Sequence, residues 1–141
     1  MRRTSRVDAG FTALETAVVA TLVFLLILMA LPRTLRAYET SRVAAGEAGL
    51  NTLWTAQRIY RLHHGTFADE ISALTEIGLA PAGMAIGGGI WNYEVLTADH
   101  DSFRMRAVRR QDGGWSGVMN LREDGTITGG SSHVSGETVQ P

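Results

Sequence analysis

The sequence predicts an α+β protein in which a long N-terminal helix, its first half apolar enough to lie in a membrane, packs against a small antiparallel sheet. Three observations predict it. Residues 11–31 contain a single ionisable side chain, Glu15. No strong helix stop follows until His63-His64-Gly65. Beyond Gly89 the apolar residues recur every second position, the period of a strand instead of a helix.

The first ten residues read MRRTSRVDAG, and Arg2, Arg3 and Arg6 outweigh Asp8. A basic flank of this kind stays on the cytoplasmic side of a membrane. The apolar run that follows is roughly 32 Å of helix, close to the ~30 Å hydrocarbon core of a bilayer. A secretory signal peptide fits poorly, because its apolar region is about 7–15 residues and ends in small residues. Here the run is longer, and a cut after Ala30 would leave Leu28 where a small side chain is needed. A plain single-span anchor explains the length and the arginines but not Glu15. A charge at the centre of a membrane helix costs about 2.5–3.5 kcal/mol, less near an end, and such a residue usually has a function and a partner. The short stem of Glu reaches the headgroups poorly.

The helix is expected over about residues 11–62, nominally ~78 Å long, with a soft point at Pro32. Ala13, Ala17 and Thr21 recur every four residues and offer a face for close helix packing. Farther on, Val43, Gly46, Leu50, Leu53 and Trp54 fall on one stripe, expected to cover the core of a head. Arg33, Arg36, Arg42 and Arg58, with Glu39 and Glu47, are expected to form the polar surface. Gly46 and Gly49 each cost about 1 kcal/mol in a helix interior. Either a sheet or a neighbouring subunit approaches closely there, or the helix is locally weak.

In the head, Ile71, Leu74 and Ile77 give a short helix an apolar side, and residues 81–89 read as a loop. Trp91, Tyr93 and Val95 alternate with Asn92 and Glu94, and Phe103, Met105 and Ala107 with Arg104 and Arg106. Trp115, Met119 and Leu121 share one face of a third run. Asp124-Gly125 signals a tight turn before a short strand near residues 126–128. Residues 129–141 read as a polar tail without an element.

Composition narrows the chemistry. The chain has 141 residues, a net charge of −1 and no cysteine, so thiol catalysis, disulfides and cysteine-ligated metals are excluded. It has no lysine, which excludes Schiff-base chemistry and a Walker-type phosphate loop at Gly87-Gly88-Gly89. His63 and His64 are adjacent on a helix, about 100° apart, and do not chelate together easily. Asp99, Asp101, Glu123 and Asp124 read as solvated turn carboxylates in preference to a calcium site. Arg104, Arg106, Arg109 and Arg110 read as a basic strand edge. Residues 63–141 nevertheless carry five Arg against ten Asp and Glu, which argues against nucleic acid as a partner. Gly114-Trp115-Ser116-Gly117-Val118 lacks the final Gly of a nucleophile elbow. With no nucleophile–base–acid set, neither an enzyme nor a cofactor is expected.

The segment Gly10-Phe11-Thr12-Ala13-Leu14-Glu15, behind a basic leader and ahead of an apolar span, resembles the processing site of type IV prepilins and type II secretion pseudopilins. In that family a prepilin peptidase cuts after the Gly, the new N-terminal residue is N-methylated, and the fifth mature residue is Glu. The resemblance implies cleavage between Gly10 and Phe11, methylation of Phe11, and assembly through Glu15, with Pro32 matching the family's Pro at the far end of the run. Ala13 and Thr16 depart from it, standing where bulkier aliphatic residues are usual. The segment LNTLWTAQRIYRLHHG, residues 50–65, is similar to the end of a pilin-like helical spine. The resemblance thus implies a pilin-like fold with a leader at 1–10, a transmembrane and polymerisation segment at 11–32, a periplasmic half-helix at 33–64, a head at 65–128 and a tail at 129–141. It implies a pilin or pseudopilin of a type IV pilus or a type II secretion-like filament. Its partners would be the peptidase/methyltransferase, other subunits, an inner-membrane assembly platform and membrane lipids. The subunit would sit in a bacterial inner membrane with its head in the periplasm before joining a periplasmic or cell-surface filament. The alternative is a single-span protein that never polymerises and displays a receptor or adhesin head.

Overall fold

The computed structural model describes residues 12–87 and 89–141, with the side chains of residues 30–34 outside the description. The chain divides into two compact units, Met1–Ala37 and Tyr38–Pro141. One helix, α1 (Ala13–His64), runs through both. It ends where the sequence places the stop: Gly65 takes the left-handed conformation at φ +79° and its N–H bonds the Arg61 carbonyl at 2.8 Å.

In the first unit, every described side chain of α1 up to Met29 is exposed. Val18, Val19, Leu22, Val23 and Phe24 are each at least half accessible, and they point in all directions around the axis. Two polar side chains of this stretch turn back on the helix. The hydroxyls of Thr16 and Thr21 donate to the carbonyls of Thr12 and Ala17. Among the described residues no helix is long and apolar enough to cross a membrane. The apolar run of the sequence begins at Phe11 and ends at Leu31, beyond the described side chains at each end.

The second unit is an α+β head. After α1 come α2 (Ile71–Glu76), the one-turn α3 (Gly83–Ile86) and five strands: β1 (Trp91–Ala98), β2 (Phe103–Asp112), β3 (Trp115–Arg122), β4 (Ile127–His133) and β5 (Thr138–Val139). They form one antiparallel meander in chain order. The turn α3 lies within the stretch read as a loop. β2 and β3 are joined by Gly113-Gly114, both at positive φ, the geometry of a two-residue hairpin that favours glycine.

The inner face of the sheet presents Trp91, Phe103, Met105, Ala107, Trp115, Met119 and Leu121 to Val43, Leu50 and Leu53 of α1. Gly46 and Gly49 are where the sheet comes closest. A Cβ on Gly46 would sit 2.7 Å from the Trp91 ring and would also strike Met119, and one on Gly49 would strike the Tyr93 hydroxyl. The two glycines therefore answer to close approach of the sheet.

Two expectations are corrected. Residues 129–141 are not without structure, since β4 runs to His133 and β5 follows. Helix and strand periodicity hid them because beyond Ile127 the positions of β4 that share its face are Gly129, Ser131 and His133 instead of apolar residues. The arginine row on β2 is not an edge: β2 lies between β1 and β3, and Arg109 continues the inward series of Phe103, Met105 and Ala107.

Candidate functional site

Of the residues singled out from sequence, Gly10 and Phe11 lie outside the described residues, as does the leader. Position 32 falls within α1, but the Pro32 side chain is outside the description. Glu15 stands in the first turn of α1. Its backbone N–H bonds the Thr12 hydroxyl at 3.3 Å, so Thr12 caps the helix and Glu15 occupies the third helical position. This is one half of a capping box, whose sequence signature is Ser or Thr followed three residues later by Glu. That signature, Thr12-Ala13-Leu14-Glu15, was legible and gives Glu15 a local role that sequence analysis overlooked. Near the helix N-terminus a carboxylate also meets the positive end of the helix dipole. Among the described residues nothing bonds the Glu15 carboxylate itself.

In the second unit the buried stripe of α1 is longer than its apolar part. It runs Glu39, Val43, Gly46, Leu50, Leu53 and Gln57, spaced by four or three residues, with a polar side chain at each end. Glu39 is 1% exposed and Gln57 0%. Glu39 is therefore not part of the polar surface, and its burial has a specific partner. The Arg109 guanidinium, from β2, donates to its Oε1, and the Ser131 hydroxyl, from β4, donates to the same oxygen at 2.7 Å. One carboxylate thus ties the helix to two strands, across gaps of 70 and 92 residues in sequence.

The arrangement is incompletely satisfied. Nε and one terminal nitrogen of Arg109 are buried without a hydrogen-bond partner. Loss of solvation pushes the Arg109 guanidinium below its ordinary value, Asp112 opposing the shift. It still remains the cation of the pair, because arginine stays charged in proteins. Removing either partner would strand a buried charge, whereas well-packed apolar residues can replace both with little loss. The pair therefore fixes how helix and sheet meet more than it adds stability.

Gln57 does comparable work with no charge. Its amide nitrogen donates to the Ala68 carbonyl and its oxygen accepts the Ala68 N–H, both at 2.8 Å. This clamps the segment after Gly65 onto the helix and satisfies both backbone groups of a buried residue. Trp91 and Trp54 add ring N–H bonds to the carbonyls of Arg42 and Glu123, each at 2.8 Å.

The other candidates have ordinary occupations. His63 and His64 are exposed, and the His64 ring stacks on Tyr60 with centroids 4.0 Å apart. Asp101 bonds His100 and Arg61 at 2.9 and 3.2 Å, and His100 is the main reason its pKa lies below the ordinary carboxylate value. Asp124 accepts the Thr126 N–H at 2.8 Å, which lowers its pKa in the same way. Among the described residues no three His, Asp or Glu side chains gather where a metal could bind. No protein-family model matches the sequence, and no curated protein matches it.

Proposed function

We propose that this chain is a subunit of a pilin-like filament, a type IV pilin or type II secretion pseudopilin, processed after Gly10 and polymerised through its N-terminal helix. The observation that carries the reading is the stretch of α1 that exposes apolar side chains on every side and holds one carboxylate, Glu15, a turn from its start. A helix apolar all round is not stable in water and has to be covered, by lipid or by other protein.

The proposed sequence of events follows from the chemistry. The basic leader and the apolar run seat the subunit in the inner membrane with its head in the periplasm. A prepilin peptidase cuts between Gly10 and Phe11 and exposes the Phe11 amine, which is then N-methylated. The assembly platform moves the subunit out of the membrane into a helical array whose centre is made of apolar segments, with Pro32 at their far end. There the Glu15 carboxylate of one copy neutralises the Phe11 amine of its neighbour. Attraction is strong in a low dielectric, and desolvation cancels much of it. The pair therefore sets the axial register more than it adds affinity.

The capping geometry favours a second reading, a lone membrane anchor displaying a binding head. A cap serves one helix and needs no neighbour. Two substitutions separate the readings. Glu15→Gln keeps a side chain able to complete a capping box but removes the charge, and Glu15→Leu removes both. In a polymer both variants insert and are cleaved, yet both reduce subunit recovery in sheared or crosslinked filaments. Recovery equal to wild type from correctly processed Glu15→Gln would eliminate the charge role. A native N-terminus at Met1 in intact-mass analysis of membrane-extracted protein would favour the lone anchor.

A further inference from the structure

The charges of the head are sorted by surface. The solvent face of the sheet carries Arg104, Arg106 and Arg110 on β2 and Arg122 on β3, with Glu94 of β1 bonded to Arg106. Four arginines against one glutamate give that face a net charge of +3. The rest of residues 63–141 holds one arginine, the buried Arg109, against nine carboxylates. Residues 65–103 contain no arginine or lysine at all.

Two details mark the basic face as a surface awaiting a counterpart. Arg104 and Arg122 are direct partners in the β2–β3 register, both exposed, and like charges in that position repel. Neither forms an ion pair among the described residues, although the exposed Asp124 interacts electrostatically with Arg122. The same face exposes apolar surface, Val118 at 41% and, at the β1 bulge, Leu96 at 44%. A cluster of cations around exposed aliphatic groups suits an acidic protein surface with an apolar centre.

The chain carries such a surface. Asp69, Glu70 and Glu76 around α2 are exposed, and Ile77 beside them is 49% exposed. Among the described residues no hydrogen bond or ion pair engages the carboxylates of Asp69 or Glu76. The acidic turns at Asp101 and Asp124 are less suited, being already bonded to His100, Arg61 and Thr126.

We propose that the basic sheet face of one copy receives the acidic α2 corner of a second copy. This rests on the filament reading above and names a contact between heads within it. Because two different patches meet, the contact is heterologous, and such contacts build open helical arrays when the rotation does not close.

The absence of cysteine makes the test clean. Full-length chain carrying Asn120→Cys on the sheet face and Glu76→Cys on the α2 corner is expressed in cells and oxidised. The expected result is a ladder of disulfide-linked multimers, since each copy offers one of each patch. Arg104→Glu with Arg122→Glu should lower the ladder on the order of tenfold, and adding Asp69→Arg with Glu70→Arg should restore it. Thermal unfolding of the detergent-extracted variants confirms that the heads remain folded. Raised salt should weaken the ladder, because the charges are exposed. The inference is overturned if sheared filaments are recovered but no ladder forms, or if charge reversal leaves the ladder unchanged. Reversal that abolishes the ladder without rescue by the compensating pair overturns it as well, and points to a different acidic partner. If no filament is recovered from the wild-type chain, the filament reading itself falls.

Discussion

The two ends of α1 belong to one continuous helix and differ in what they expose. Up to Met29 the helix exposes Leu, Val, Ile and Phe on all sides. From Tyr38 onward it buries a single stripe, Glu39 to Gln57, and leaves most of the rest of its circumference exposed or half-exposed. Helix periodicity is the same throughout, so the difference lies in what covers each surface. The far half is covered by its own sheet. The near half has no cover within the described structure, and a helix apolar all round is stable only when something covers it. Among the described residues, the buried polar groups of α1 lie in the far half. Exposed threonines bond the preceding turn in both halves, Thr16 and Thr21 in the near one and Thr52 and Thr55 in the far one. In the far half, Glu39 and Gln57 find partners in distant parts of the chain.

That comparison can be broken most severely at Glu39. Glu39→Ala strands the Arg109 cation inside the head and should cost about 3–5 kcal/mol in a denaturant titration. Glu39→Leu combined with Arg109→Met should recover most of this, because an apolar pair replaces a buried ion pair with little loss. A double variant as unstable as the single one would mean that the pair carries stability as well as geometry.

A smaller effect is expected at the point of closest approach. Gly46→Ala would gain roughly 1 kcal/mol of helix propensity in an open helix. Here the new methyl meets the Trp91 ring, so the net result should be a loss of about 1–3 kcal/mol. A gain would show that the sheet moves aside freely and that the contact is loose.

The acid side of the pH profile gives a milder test, confined to the head. In the folded protein His100 holds the Asp101 carboxyl below its ordinary value, and the Thr126 N–H does the same for Asp124. A carboxylate depressed on folding contributes stability that is present above its unfolded pKa and is lost as pH falls through its lower folded value. The melting temperature of the head should therefore fall below about pH 4. The fall should be shallower in Asp124→Asn, which holds no ionisable group there.

The smallest effect is predicted in the near half. Leu22→Ala shortens a side chain that is 56% exposed and lies in the first unit, and should change head stability by less than about 0.5 kcal/mol. If the filament reading holds, the same substitution should lower filament recovery, because that reading places its surface between copies. Loss of head stability instead would place Leu22 in a contact with the head and erase the contrast between the two halves.

Local sequence determined a good deal of this protein. The length of α1, its stop at Gly65, the apolar stripe through Leu50 and Leu53, and the alternation of β1, β2 and β3 all follow from periodicity and turn chemistry that short windows contain. The cap at Thr12 was written there too, as Thr and Glu three residues apart. Tertiary structure decided what no window contains. Glu39 reads as surface until Arg109 and Ser131 are brought to it, and Arg109 reads as an edge arginine until β2 is placed inside the sheet. β4 beyond Thr128 reads as a polar tail because its inward Ser131 is held by a carboxylate 92 residues away, not by an apolar neighbour. Periodicity reports burial only when the buried residues are apolar. Where a buried position is polar and satisfied by a distant partner, the pattern inverts, and only the assembled fold supplies the partner that makes the burial affordable.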